Sequence, residues 1–329
     1  YNEHTSYDER HLTSISAKHL SNWHTFIMDC YHFEDGLINL YDKFDQPLPT
    51  VSAFAYDFLY KNMPSQKFYL SGAAGDIFLS GNFPCFFYRF AGLVATGEHS
   101  TLEEELDFWI EFHSTEQFPK TRKSALDFIE KKLNVKKGSS HWSTFSDLLY
   151  PNLLSKQMQE RCGDLSKEIV PNQGEFLRSY SLQEYRFENV PVLVECEDQM
   201  DWLYHNEVLS PYLFKDMMEL GWRTPPEFKI KNGISKALTR DAYAELIPDE
   251  ILNQRSKKGF NAPIDIWFRG EMKNFLIDLT SSQSFKDREI YNLKTVEKVV
   301  EDHISRKNNN MMILWPMINV ELWFQKWID

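Results

Sequence analysis

The sequence predicts an α/β fold: a parallel sheet with crossover helices in the first part, then a largely helical remainder. Three observations point there. Helix-like and strand-like segments alternate up to residue 82, the strand-like KFYLS (67–71) runs into the small-residue stretch SGAAGDIF, and beyond residue 82 the apolar residues recur at helical spacing. With 329 residues, 42% of them hydrophobic and 15% aromatic, the chain can bury a substantial core.

Each element has a local reason. Ser6 with Glu9 three residues on is a capping-box pattern, and Leu12, Ile15 and Leu20 follow at helix-like spacing. TFIMDC (25–30) reads as a short buried strand. Leu37, Leu40 and Tyr41 suit a helix, as does SAFAYDFLYKN (52–62), and KFYLS is a second strand. Further on, TLEEELDFWIEF (101–112) and RKSALDFIEKKL (122–133) are amphipathic helices. ISKALTRDAYAEL, PDEILNQR, IDIWFRGEMKNFL and ILWPMINVELWFQKWI also favour helix over strand. No Pro- or Gly-rich linker divides the chain, so 1–329 reads as one domain, with an α/β part at 1–82 and a mainly helical part at 83–329.

The net charge of −12 argues against a general nucleic-acid binder or a membrane-surface protein. Cys30, Cys85, Cys162 and Cys196 form no CxxC pair, which suits buried thiols in a reducing, cytoplasmic compartment. The longest apolar run, MMILWPMINVELWF, is interrupted by Pro316 and Glu321 and is too short to span a bilayer. Tyr1 rather than Met opens the sequence, so the expectation is a fragment or processed piece. The aromatic excess allows a homo-oligomer surface.

Three constellations could carry chemistry. In SGAAGDIF, small residues after a parallel strand let backbone N–H groups approach a ligand, and Asp76 can ligate Mg²⁺ on phosphate oxygens. A tight turn with a solvated Asp explains the same residues. From Glu227 to Lys258, seven Lys/Arg face five acids in an otherwise acidic chain. Lys236 and Arg240 stand i,i+4 on a helix face, a repulsion of roughly 0.2–0.5 kcal/mol that a bound anion would reverse. Lys257 precedes Gly259, close to a tightly turned backbone. The plainer alternative is a solvated basic helix end. In ECEDQMDWLYHNEVLSPYLF (195–214), Glu197, Asp198, Asp201 and Glu207 lie among apolar residues, where a carboxyl can be partly buried with a raised pKa. An ordinary amphipathic helix accounts for most of this too.

Taken in order, these segments resemble the synthetase domain of the glutamine-dependent asparagine synthetase family. SGAAGDIFLSG (71–81) is similar to that family's S-G-E-G-S-D-E-L-F-G-G, and EDQMDWLYHNEVLSPYLF (197–214) to E-D-R-x-S-M-x-x-x-x-E-x-R-x-P-F-L-D. KALTR (236–240), IPDEI (247–251) and RSKKGF (255–260) resemble K-x-x-L-R, L-P-x-x-I and R-x-K-x-G-F. DQPLPTVSA (45–53), SYDER (6–10) and the closing LWPMINVELWFQKW extend the likeness from about residue 6 to the end.

The resemblance implies an ATP-pyrophosphatase fold and a carboxylate substrate activated by ATP to an acyl-adenylate. An amine nucleophile then forms the amide. It implies Asp76 on Mg²⁺, with Leu70, Ser71 and Gly72 near the adenosine. Lys236 and Lys257 would lie on pyrophosphate and the transition state, with Arg240 and Lys258 beside them, and Glu207 would be the acid of the substrate region. Ala73 and Ile77 stand where the family has acids, and Leu209 and Phe214 where it has Arg and Asp. Those losses resemble ring-closing relatives, the β-lactam synthetases and lasso-peptide cyclases. The family's S-G-G-x-D-S loop and its glutaminase domain are absent from the sequence, so another chain or a further N-terminal segment is expected to supply the loop. The alternative is a non-catalytic relative acting in binding or assembly.

Overall fold

The computed structural model describes residues 7–64, 68–114, 120–133, 150, 152–162, 175–255 and 262–329. It is an α/β arrangement in which helices dominate. Strand β1 (Phe68–Leu70) pairs in parallel with β2 (Glu207–Leu209), in the register Phe68↔Glu207, Tyr69↔Val208, Leu70↔Leu209. Ser71 N–H extends the ladder to the Leu209 carbonyl at 2.9 Å. Strands β3 (Ile230–Lys231) and β4 (Ile234–Ser235) form an antiparallel hairpin. Its two turn residues, Asn232 and Gly233, have φ of 52° and 71°, which Asn and Gly tolerate best.

Several helices fall where their pattern predicts. Ser52–Asn62 and Arg122–Leu133 match the sequence reading end to end, His99–His113 encloses its segment, and Met311–Trp327 covers all of ILWPMINVELWFQKWI but its last residue, Ile328. Pro84–Thr96 starts with Pro at its first turn and stops at Gly97 (φ 76°), whose N–H returns to the Leu93 and Val94 carbonyls.

Four expectations are corrected. TFIMDC is not a strand: 25–30 runs irregularly, and its apolar signal is spent on packing, with Met28 and Cys30 buried in the core. The first helix is Arg10–Ala17 with Glu9 at its N-cap rather than one turn inside, and Leu20 lies beyond its end, exposed. Ser6 is outside the described residues. ISKALTRDAYAEL is not one helix, because Ile234–Ser235 is drawn into the hairpin and the helix is only Ala237–Ala242. IDIWFRGEMKNFL divides into Ile264–Trp267 and the start of Lys273–Ser281.

Among the described residues, two apolar clusters fill the interior. The larger joins Phe33, Leu37, Leu40 and Phe54 to Cys196, Met200, Trp267, Phe268 and Leu314, so early helices pack on late ones. Asn319 fastens that union, donating to the Leu48 carbonyl at 2.8 Å and accepting from Leu48 N–H at 3.0 Å. The second gathers Phe86, Phe90, Leu106, Trp109, Ile129, Leu177 and Ile230. Their packing sets the helix Glu195–Tyr204 against Ser52–Asn62, beside the ends of β1 and β2.

Candidate active site

The C-terminal end of parallel β1 opens into the loop 71–82, the position where open α/β sheets bind ligands. Small residues let this loop fold tightly. Ala74 and Ser80 adopt φ of 64° and 59°, a left-handed conformation uncommon for residues with a Cβ. Gly81 N–H bonds the Asp76 carbonyl at 2.7 Å, and a Cβ at Gly81 would overlap Asp76 Oδ1. The loop thus fixes the Asp76 backbone, and the missing Cβ at Gly81 leaves room for its carboxylate.

Lys236 meets it from across the chain. Its ammonium donates to Asp76 Oδ1 at 2.8 Å, and both side chains are about one-third exposed. Lys236 precedes the Ala237–Ala242 helix in a left-handed conformation, φ 55°, which turns it out of the helical row. The expected i,i+4 cation pair with Arg240 is therefore not formed. Arg240 is committed to main-chain oxygens of Ser235 and Gln254, at 3.0 and 2.9 Å, and of Leu252. It lines a separate cavity of about 270 Å³ with Lys231 and Arg255. Lys257 and Lys258 lie outside the described residues.

A second carboxylate closes the other side of the loop. Ser71 donates to Glu197 Oε1 at 2.9 Å and accepts the Ala73 N–H at 3.1 Å, while Tyr56 donates to the same Glu197 oxygen at 2.9 Å. One turn along, Asp201 accepts from Tyr60 at 2.9 Å. Burial raises the Asp201 carboxyl to about 6, against the opposing pull of Tyr60, and pushes both tyrosines far above the ordinary phenol range. Of the acids in 195–214, Glu197 and Asp201 are the buried ones. Glu207 is exposed at the start of β2 and does not join them. Leu70 is 78% exposed at the strand end, and a Cβ at Gly72 would meet open space.

Between the loop and the segment 189–194 is a cavity of about 150 Å³, walled by 72–77 and Asn82 on one side and by Asn189, Val190, Leu193 and Val194 on the other. The second wall includes the π-helical turn Val190–Val194, which runs directly into Glu195–Tyr204. Such turns often occur at functional sites. Ala73 and Ile77 make the first wall mostly apolar, leaving Asp76 as its one acid.

Sequence reasoning did not single out Tyr56, Tyr60 or strand β2. The E-V-L run after His205 and Asn206, a left-handed helix stop at φ 56° and the residue that follows it, was the available signal for the strand. Among the described residues no group of three or more His, Cys, Asp or Glu could hold a metal, and no helix is long and apolar enough to cross a membrane.

No solved structure matches the chain. The asparagine synthetase [glutamine-hydrolyzing] 1 of Bacillus subtilis (strain 168) is 31% identical over 126 residues, which cover 38% of this chain and 20% of that protein. The match thus spans a fifth of the relative's length. A family model described as asparagine synthase matches residues 1–328. With a model covering nearly every residue, and with Asp76 and Lys236 of two separate motifs meeting beyond the end of a parallel strand pair, this chain belongs to the asparagine synthase family.

Proposed function

We propose that the chain carries the synthetase half of an ATP-dependent amide-forming ligase with an ATP-pyrophosphatase fold, which activates a carboxylate as its acyl-adenylate and releases pyrophosphate. The observation that carries this reading is the meeting of Asp76 with Lys236, 160 positions apart, at the C-terminal end of the parallel strands. A carboxylate and an ammonium held together at a glycine-containing loop match what a metal-bound polyphosphate needs.

Mg²⁺ characteristically takes one or two protein carboxylates and completes its shell with phosphate oxygens and water. A single acid, Asp76, fits that donor set, whereas an all-protein metal cage would not fit it. When bound, Mg²⁺ would neutralise charge on the phosphates. Lys236 would then exchange Asp76 for a phosphate oxygen and stabilise the negative charge that develops as pyrophosphate leaves. Leu70, Ser71 and Gly72 supply backbone beside the nucleoside, with Ser71 anchored by Glu197. Lys257, Lys258 and Arg240 belong to the same basic segment, and Lys257 is the second cation proposed for the leaving group.

The apolar wall made by Ala73 and Ile77 bears on the acceptor. A cavity lined by one acid among the described residues is poorly suited to holding a free ammonium ion and better suited to an apolar acyl or peptide group. That favours an intramolecular, ring-closing amide over simple aspartate amidation.

The test is substrate-dependent exchange of labelled pyrophosphate into ATP by the full-length protein with Mg²⁺ and a panel of carboxylates. Exchange that is abolished by Lys257→Ala supports the reading. The absence of both exchange and ATP binding would favour the second reading, a non-catalytic binding or assembly protein, to which the losses at 73, 77, 209 and 214 also point.

A further inference from the structure

Lys229 closes the short helix Pro226–Lys229 and is only 2% exposed. It lines a cavity of about 240 Å³ at the opposite end of the Pro84–Thr96 helix from the Asp76 loop, and the cavity shares no residue with the one beside that loop. The other cations of its wall are already matched. Arg89 gives Nε and Nη2 to Glu105 Oε1 at 3.2 and 3.1 Å. Arg178 pairs with Glu175 at 2.6 Å and donates Nε to the Trp222 carbonyl at 3.1 Å. Thr224 donates to the Leu220 carbonyl at 2.7 Å. The Lys229 ammonium, by contrast, makes no hydrogen bond and no ion pair among the described residues.

An ammonium removed from water without a counter-ion is costly to the fold, and the cost is relieved when an anion enters beside it. Burial and the nearby Arg178 charge pull Lys229 down to about 8, so at neutral pH it is still mainly protonated. Among the described residues, the cavity therefore offers one uncommitted positive charge. Around it, Tyr88, Phe176, Leu177 and Pro226 provide apolar surface, and Glu98 and Glu227 add negative charge. The Lys229 cation set among these carboxylates suits a monoanion with a small carbon body and disfavours a dianionic phosphate. The volume corresponds to roughly eight waters at liquid density, which limits the ligand to amino-acid size.

We propose that this cavity binds a small monocarboxylate ligand, with the Lys229 ammonium as its counter-ion. The site stands apart from the proposed ATP chemistry and does not rest on it.

The test is calorimetric titration of the intact chain with butyrate, and separately with inorganic phosphate. Saturable butyrate binding is expected, weakened about tenfold or more in Lys229→Met, unchanged in Lys231→Met, and tighter than phosphate binding. Equal butyrate binding by wild type and Lys229→Met overturns the proposal, as does no saturable binding or a preference for phosphate. A second measurement needs no variant. Cyanate carbamoylation of the wild-type protein, mapped by mass spectrometry, should be slowed by butyrate at Lys229 and not at exposed Lys231. An unchanged rate at Lys229 overturns the proposal equally.

Discussion

The Lys236 ammonium donates to Asp76 Oδ1 at 2.8 Å, so each charged group at the mouth of the loop is the other's partner before any ligand arrives. Because both side chains are about one-third exposed, the pair contributes little to stability and its role is positional.

A double-mutant cycle of Lys236→Met and Asp76→Asn should therefore give a coupling of only about 0.2–1 kcal/mol in urea unfolding. The same Lys236→Met change should reduce pyrophosphate exchange by about 10²–10³-fold, the usual loss on removing one preorganised charge donor. A large stability loss with exchange preserved would assign the lysine to the scaffold.

Gly81→Ala should destabilise the protein by about 1–3 kcal/mol, since the added methyl overlaps Asp76 Oδ1 and comes within 3.0 Å of its Cα. Adding Asp76→Ala should restore part of that stability by removing the obstructing oxygen. Denaturant unfolding of the two variants measures both effects, and an absence of rescue would place the strain in the loop backbone.

Asp201 titrates at about 6 in the fold against an ordinary 3.8, so the folded state holds a proton that the unfolded chain releases between those values. Its contribution to stability is full below pH 4 and is lost as pH rises through 6. Asp201→Asn keeps an acceptor for Tyr60 and should raise the melting temperature at pH 7 more than at pH 4.

His303 should act in the opposite sense. Fully buried, it accepts the Asn310 N–H on Nδ1 at 3.1 Å, which leaves Nε2–H to donate to the Asp265 carbonyl at 3.1 Å. Burial, helped by Arg269, depresses it from 6.5 to about 4. The stability of the neutral ring is full above pH 6.5 and is lost as pH falls towards 4. His303→Gln should flatten that acid-side loss, read from unfolding midpoints at pH 5 and pH 7.5.

What was legible in the sequence was whatever repeats locally. Ser52–Asn62 and Arg122–Leu133 each carry enough apolar residues at helical spacing to define themselves. A three-residue strand such as Glu207–Leu209 has too few positions for a period, and its parallel partner lies well over a hundred residues upstream. The hairpin at Asn232–Gly233 did carry a local signal, the Asn-Gly pair, yet the long helical pattern after it outweighed those two residues. Asp76 could be found from its loop. That Lys236 would leave the helical row and turn to that acid depends on one backbone angle, which no residue count reveals.

Glu197 Oε1 receives hydrogen bonds from Tyr56 and Ser71, side chains lying 141 and 126 positions before it. Neither hydroxyl keeps this partner if the carboxylate is replaced, and the buried carboxylate loses support if either hydroxyl goes. Among relatives the three positions should thus change together, tyrosine, serine and glutamate being inherited or abandoned as a set. An alignment of diverged members would show this as covariation joining three separate stretches of sequence, without reference to what the loop binds.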